Sequence, residues 1–129
     1  MKRIIGFTNF VIILAVLTTP PVFASCKSLS TQPERDECAQ DKYKKEEQKL
    51  NKLVEKIFAD QGIDQKSKDL IDRSLLKWHE FKNYHCTTKG DMLARDRAME
   101  SAITTDCQTD LTKEHIKRLE NLFEVTQGL

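Results

Sequence analysis

The sequence has few of the residues that interrupt helices, with four glycines and three prolines among its 129 residues. No stretch alternates apolar and polar residues for long enough to indicate a strand, which argues against a β-rich fold. Glycine-rich motifs of the kind that cradle phosphate groups are also missing. We therefore predict an all-α protein, folded as a small bundle of three or four helices.

An excess of charge of either sign is also missing. The chain has 21 lysines and arginines against 20 aspartates and glutamates. Loss of the first 24 residues would remove Lys2 and Arg3 and leave 19 basic against 20 acidic side chains. Because binding to nucleic-acid phosphates needs a clear cationic excess, nucleic acid is not expected as the main partner.

Residue patterns for catalysis or metal binding are missing as well. No serine is flanked by glycines as in a hydrolase nucleophile motif. His79, His85 and His115 are not spaced by four on one helix, and the cysteines are separated by eleven, 47 and 20 residues rather than the two to four typical of zinc sites. We predict no catalytic residue, no metal and no cofactor. The enzyme alternative is a small hydrolase that uses His79 or His115 with a nearby carboxylate.

The one long apolar run lies at the start of the chain. Basic residues Lys2 and Arg3 precede it, it covers residues 4–17, and a proline pair that begins at Pro20 follows. This is the layout of a secretory signal. We expect cleavage after Ala24.

Residues 1–24 are thus predicted to be a signal peptide, and residues 25–129 a single helical domain in the periplasm or outside the cell. The apolar run is shorter than the about 20 residues of a membrane-spanning helix, so no transmembrane segment is expected in the mature chain. A lipoprotein signal with an acylated Cys26 is the less favoured alternative, because acylation would leave one other cysteine without a partner.

The mature chain contains four cysteines, Cys26, Cys38, Cys86 and Cys107. An even number in a small exported chain indicates two disulfides formed outside the cytosol. Four cysteines allow three pairings. We favour Cys26 with Cys38 and Cys86 with Cys107, because both bridges join near neighbours.

The first helix is predicted to start after Thr31, whose hydroxyl can cap it. Pro33 falls in the first turn and Glu34 can complete a capping box. Nothing interrupts the helical pattern before Ala59, and Gly62 ends the segment.

The second helix is predicted to start after Asp64 and to close at Cys86. Its apolar line at three- and four-residue spacing consists of Leu70, Ile71, Leu75, Trp78, Phe81 and His85. This spacing favours a core role for the two aromatic residues over a sugar-stacking platform.

The region after Gly90 returns to a helical pattern. A straight helix from Gly90 would place Cys107 about 25 Å along its axis, whereas bridged cysteines need Cα atoms about 6 Å apart. A bridge from Cys86 to Cys107 therefore requires a bend. We place it at Thr104 and Thr105, which predicts four helices with a short third one folded back.

Taken together, the cysteine, leucine-asparagine and tryptophan-phenylalanine positions resemble the N-terminal domain of LprI-type lysozyme inhibitors, a small secreted bacterial family. The matching residues are Cys26, Cys38, Leu50, Asn51, Trp78, Phe81, Cys86, Cys107 and Leu111. The resemblance covers nearly all of residues 26–123. The chain departs from the family pattern at four polar positions, where it has Glu47, Leu75, Leu76 and Asn83.

The resemblance implies a bacterial envelope protein that blocks the cleft of a lysozyme. The segment predicted to contact this protein partner is a loop held at Cys86, with His85, Thr87, Thr88 and Lys89 as its polar side chains. The alternative function is an envelope immunity or stress-response protein that binds a different toxin or hydrolase. The oligomeric state is left open.

Overall fold

The structure is a computed structural model and describes residues 26–127; the predicted signal peptide and its cleavage site lie outside the described residues. It contains a short 3-10 helix and three long α-helices, and residues 26–127 contain no strand. The 3-10 helix is Cys26–Ser28, α1 is Gln32–Ala59, α2 is Gln65–Leu93 and α3 is Arg97–Gln127. The predicted all-α class is confirmed, with three long helices rather than four.

The starts of α1 and α2 follow from the side chains that precede them. Thr31 Oγ1 accepts from the backbone N–H of Glu34, whose carboxylate accepts from the backbone N–H of Thr31 at 3.0 Å, which completes the predicted capping box. Asp64 caps α2 by accepting from the backbone N–H of Ser67 at 2.9 Å. Both predicted starts are confirmed.

Helix α3 packs against both α1 and α2. Gln40 bonds to Thr105 and Glu47 to Thr112, so α1 and α3 run in the same direction. Helix α2 runs the opposite way. The apolar core between the helices consists of Leu50, Ile57, Ile116, Leu119 and Phe123. Each fully buried aliphatic side chain of this kind contributes about 1.5–3 kcal/mol.

The chain reverses direction between α2 and α3, at residues 94–96. The predicted bend at Thr104 and Thr105 is therefore wrong, and so is the predicted end of the second helix at Cys86. The two threonine hydroxyls do not break α3 because they bond to the neighbouring helices, one to the Cys86 carbonyl of α2 and one to Gln40 of α1. Asp96 begins α3 instead, since its carboxylate accepts from the N–H of Met99 at 2.8 Å.

Gly90 lies inside α2 where that helix comes closest to α3. A Cβ at this position would collide with Thr104 Oγ1 and would lie 3.0 Å from the carbonyl oxygen of Glu100. The absence of a side chain at Gly90 therefore permits the close approach of the two helices just before the chain turns.

Both predicted disulfides are present. Cys26 is bonded to Cys38 and Cys86 to Cys107, with Cα–Cα distances of 5.6 and 5.5 Å. Acylation of Cys26 would need the sulfur that is bonded to Cys38 here. The Cys86–Cys107 bridge is buried and joins α2 to α3.

None of the helices in the described part of the chain is long and apolar enough to cross a membrane.

Candidate functional site

The inward face of α2 differs from the predicted apolar line in its second half. Ile71, Leu75 and Trp78 pack against the core as predicted. Leu70, the first residue of the predicted line, is 57% exposed instead. Beyond Trp78, the buried residues are Lys82, Cys86 and Gly90. Phe81 is 54% exposed and His85 is also exposed, so the prediction that both lie on the inward face of α2 is wrong.

Lys82 takes the buried position that was predicted for Phe81. Only 1% of Lys82 is exposed, and its Nζ donates to Glu47 Oε1 at 2.6 Å and to the Tyr43 hydroxyl at 2.9 Å. The same ammonium lies 4.6 Å from the centre of the Trp78 ring, within the range of a cation–π interaction. These contacts give the buried charge a counter-ion, a hydrogen-bond acceptor and an aromatic face.

The ion pair between Lys82 and Glu47 joins all three helices. Glu47 lies on α1 and Lys82 on α2, while Thr112 of α3 donates its hydroxyl to the same Glu47 oxygen at 3.1 Å. A buried charge that loses its partner is costly, so these bonds fix the rotation of α2 about its axis. The sequence signal for Lys82 is its spacing of four residues from both Trp78 and Cys86.

His115 lies next to this cluster, on α3. Its ring stacks on Trp78 with centroids 4.1 Å apart, and its Nε2 atom is buried without a hydrogen-bond partner among residues 26–127. Burial, helped by the nearby charges of His79, Arg118 and Lys82, lowers the pKa of His115 to about 4. The ring is therefore neutral at pH 7.

The two histidines of the hydrolase alternative are His79 and His115. Burial and the Lys82 charge lower the pKa of His79, and within residues 26–127 neither His79 nor His115 has a hydrogen bond to a carboxylate. In the same residues, no three His, Cys, Asp or Glu side chains come close enough together to hold a metal ion.

On the outer side of the second half of α2, the side chains form one continuous exposed surface, which we name the α2 face. Its residues are Phe81, Tyr84, His85, Thr88, Lys89, Met92 and Leu93. Tyr84 and Met92 are each 76% exposed, and the rings of Phe81 and His85 stack with centroids 5.2 Å apart. None of the seven residues is acidic.

Three of the four residues predicted to bind a partner lie on this α2 face. His85, Thr88 and Lys89 are exposed there, whereas Thr87 borders a polar groove with Gln40 and residues of α3. All four belong to helix α2, so the predicted loop is wrong. The segment is helical because α2 continues past Cys86 to Leu93.

The five residues that match the family pattern besides the cysteines lie partly in the core and partly on the surface. Leu50 is fully buried and Leu111 partly buried, and Trp78 packs against the core. Asn51 is exposed, and Phe81 lies on the α2 face.

The α2 face combines exposed apolar side chains with hydrogen-bond donors on a fixed helix. The ion pair of Lys82 and the Cys86–Cys107 bridge hold this helix from behind. Binding by such a surface loses little backbone entropy, because the helix that carries it is already formed. The arrangement is suited to recognition of another macromolecule.

Comparison with protein families gives a match over residues 24–119 to the model described as Lysozyme inhibitor LprI. Comparisons with curated proteins and with solved structures give no match.

Proposed function

The chain belongs to the LprI lysozyme inhibitor family, and on this premise we propose that it binds a lysozyme and blocks its catalytic cleft. The observation that carries this function is the match to the inhibitor family over residues 24–119. The protein acts by binding and performs no chemistry of its own. Its partner is accordingly another protein.

The α2 face is the surface proposed to contact lysozyme. Glycoside hydrolases of this kind hold two carboxyl groups on either side of the bond that they cleave. Lys89 supplies an ammonium with three donors. His85, one turn of helix away, and the adjacent Thr88 supply further donors. The lack of an acidic residue on the α2 face favours contact with a cleft that contains carboxylates.

The proposed location is the periplasm or the outside of the cell, where lysozyme meets peptidoglycan. Two disulfides and the family match support it. Cleavage after Ala24 and a single domain over residues 25–129 are part of the same proposal. Intact-mass measurement of the protein from the periplasm should give a chain that starts at Ser25 and carries two disulfides.

A turbidity assay tests the function directly. Purified mature protein added to a c-type lysozyme should slow the lysis of bacterial cells, and Lys89→Ala should weaken inhibition about three- to tenfold, the size typical of one partly exposed charged contact. Lys77→Ala is the matched control, because Lys77 is an exposed lysine of the same helix outside the α2 face. Lysis that continues undiminished at an excess of inhibitor would rule the function out.

A further inference from the structure

The α2 face exposes a large apolar surface in addition to its polar side chains. Aromatic side chains bury roughly 150–250 Å² each when fully covered, so the exposed parts of Phe81 and Tyr84 alone amount to roughly 250 Å². Met92 and Leu93 extend the same surface. An apolar patch of several hundred Å² on a small soluble protein commonly marks an interaction site.

Resting on the lysozyme inhibition proposed above, we propose that α2 enters the substrate cleft of lysozyme as a helical ridge, anchored by Phe81, Tyr84 and Met92. Residues 81, 84, 85, 88 and 92 follow the spacing of a helix that lies in a groove, which places at least one residue of the ridge on each successive turn. Lys89 flanks these anchors and faces the carboxyl groups of the cleft. The apolar anchors supply most of the affinity, and Lys89 supplies orientation.

The size of the ridge favours a cleft over a second copy of this chain. A stable dimer buries about 800 Å² of total surface on each partner. The α2 face is one side of one helix, and its exposed apolar side chains amount to roughly half that area. Against another convex helix only its crest would be covered. A cleft also covers the flanks of the ridge, where Thr88 and Lys89 lie.

The charges of the α2 face also favour a cleft over a second copy of this chain. The α2 face contains Lys89 and His85 and no acidic residue. A two-fold dimer centred on the middle of this face would bring the basic side chains of both copies close together. The carboxyl groups in the cleft of a glycoside hydrolase provide the opposite charge.

Contacts behind the ridge hold it in its binding shape. Lys82 is one residue from Phe81 and points into the bundle, where Glu47 and Tyr43 bind its ammonium. The Phe81 and His85 rings are already stacked in the free protein. The ridge therefore loses little conformational entropy when it binds. This suits an inhibitory element that must fit a fixed cleft.

The test is a set of alanine variants in the mature protein, measured by inhibition of lysozyme on a soluble substrate and by direct binding. Tyr84→Ala and Met92→Ala should each weaken inhibition at least tenfold. Both side chains are 76% exposed, so their removal leaves the fold intact, which circular dichroism can verify. Leu76→Ala is the matched control, because Leu76 is a 60% exposed leucine of the same helix that does not border the α2 face. It should stay within twofold of the wild type.

Two further measurements complete the test. A chitooligosaccharide that fills the substrate cleft should displace the protein from lysozyme in competition. Sedimentation of the wild-type protein alone should show a monomer.

The outcomes separate the ridge from the function. If the wild type neither binds nor inhibits lysozyme, the function and the ridge both fail. If the wild type inhibits but both alanine variants equal it, the ridge is wrong and the inhibitor function stands. If the wild type inhibits but the chitooligosaccharide does not compete, the ridge and the block of the cleft are both wrong, and inhibition through another surface of lysozyme remains. A wild-type dimer that Tyr84→Ala converts to monomer would identify a second copy as the occupant of the α2 face and overturn the ridge.

Discussion

Lowering the pH from 7 to 4.5 should destabilise the folded chain through His115. In the folded state the ring is stacked on Trp78, and burial is the main reason that its pKa falls from 6.5 to about 4. The groups that face it are His79 and Lys82 on α2, with Glu47 on α1 as the neighbouring carboxylate of the cluster. A proton on His115 would therefore add charge beside an ammonium that already uses this carboxylate.

The sign of the effect follows from which state binds the proton first. Because the folded-state pKa is lower than the unfolded-state value, the unfolded chain is protonated first as the pH falls. Neutral His115 contributes its full amount to the free energy of unfolding above about pH 6.5. This contribution decreases between about pH 6.5 and pH 4, and the free energy of unfolding no longer changes through His115 below that range. The full difference corresponds to about 3 kcal/mol. At pH 4.5, and with allowance for the partly exposed ring, we expect a loss of about 2 kcal/mol.

Urea unfolding at pH 7 and pH 4.5, followed by circular dichroism, measures this loss. In His115→Phe the ring can still stack and no hydrogen bond of Nε2 is lost, so less than half of the pH-dependent loss should remain. The remainder comes from His79, whose pKa is also lowered, and from the capping carboxylates of Glu34 and Asp64, whose pKa values are lowered by their hydrogen bonds. His85→Phe is the control, because His85 is exposed on the α2 face, and it should lose as much as the wild type. If His115→Phe also loses the full wild-type amount, the assignment to His115 is refuted.

Two substitutions test the packing of the helices by their effect on the free energy of unfolding. Gly90→Ala should lower the free energy of unfolding by about 1–3 kcal/mol, because the new Cβ collides with α3. Gly62→Ala is the control: its Cβ meets only one side chain, so the free energy of unfolding should change by less than about 1 kcal/mol. Equal losses in the two variants would contradict the close approach of α2 and α3 at Gly90. Lys82→Ala should lower the free energy of unfolding by about 3 kcal/mol by leaving Glu47 without its buried partner. Lys77→Ala, which removes an exposed ion pair, should cost under about 1 kcal/mol, and similar losses for the two lysines would show that the buried pair is not structural.

The helix starts and the disulfide pairing could be predicted because they depend on local chemistry. A capping box needs only Thr31 and Glu34 at the right spacing, and the structure contains both of its bonds. The favoured bridges join cysteines 12 and 21 residues apart, separations that short segments of chain can close.

The orientation of α2 could not be predicted from the sequence, because a lysine is almost never fully buried unless it is paired. After Trp78 the sequence allows two lines, one through Phe81 and His85 and one through Lys82 and Cys86. Hydrophobicity favours the first, yet the structure uses the second because Glu47 and Tyr43 lie opposite Lys82 and satisfy its charge. These partners are more than 30 residues away in the sequence, so no local pattern indicates them.

The turn between α2 and α3 was misplaced for a similar reason. The predicted reversal between Cys86 and Cys107 is correct, but it lies at the aspartate that caps α3 and not at the threonine pair. Asp96 provides a local capping signal, since its carboxylate accepts from the Met99 N–H. The hydroxyls of Thr104 and Thr105 have partners on other helices, which only the tertiary structure provides.

Both covalent bridges lie at one end of the bundle, where α1 begins and the chain turns from α2 into α3. At the other end, apolar contacts around Ile57 and Phe123 are what join the helices. Fraying should therefore start near the turn between α1 and α2, where amide hydrogens should exchange with solvent fastest. The bridged end, which includes Tyr84 and Met92, should keep its shape while the far end opens and closes.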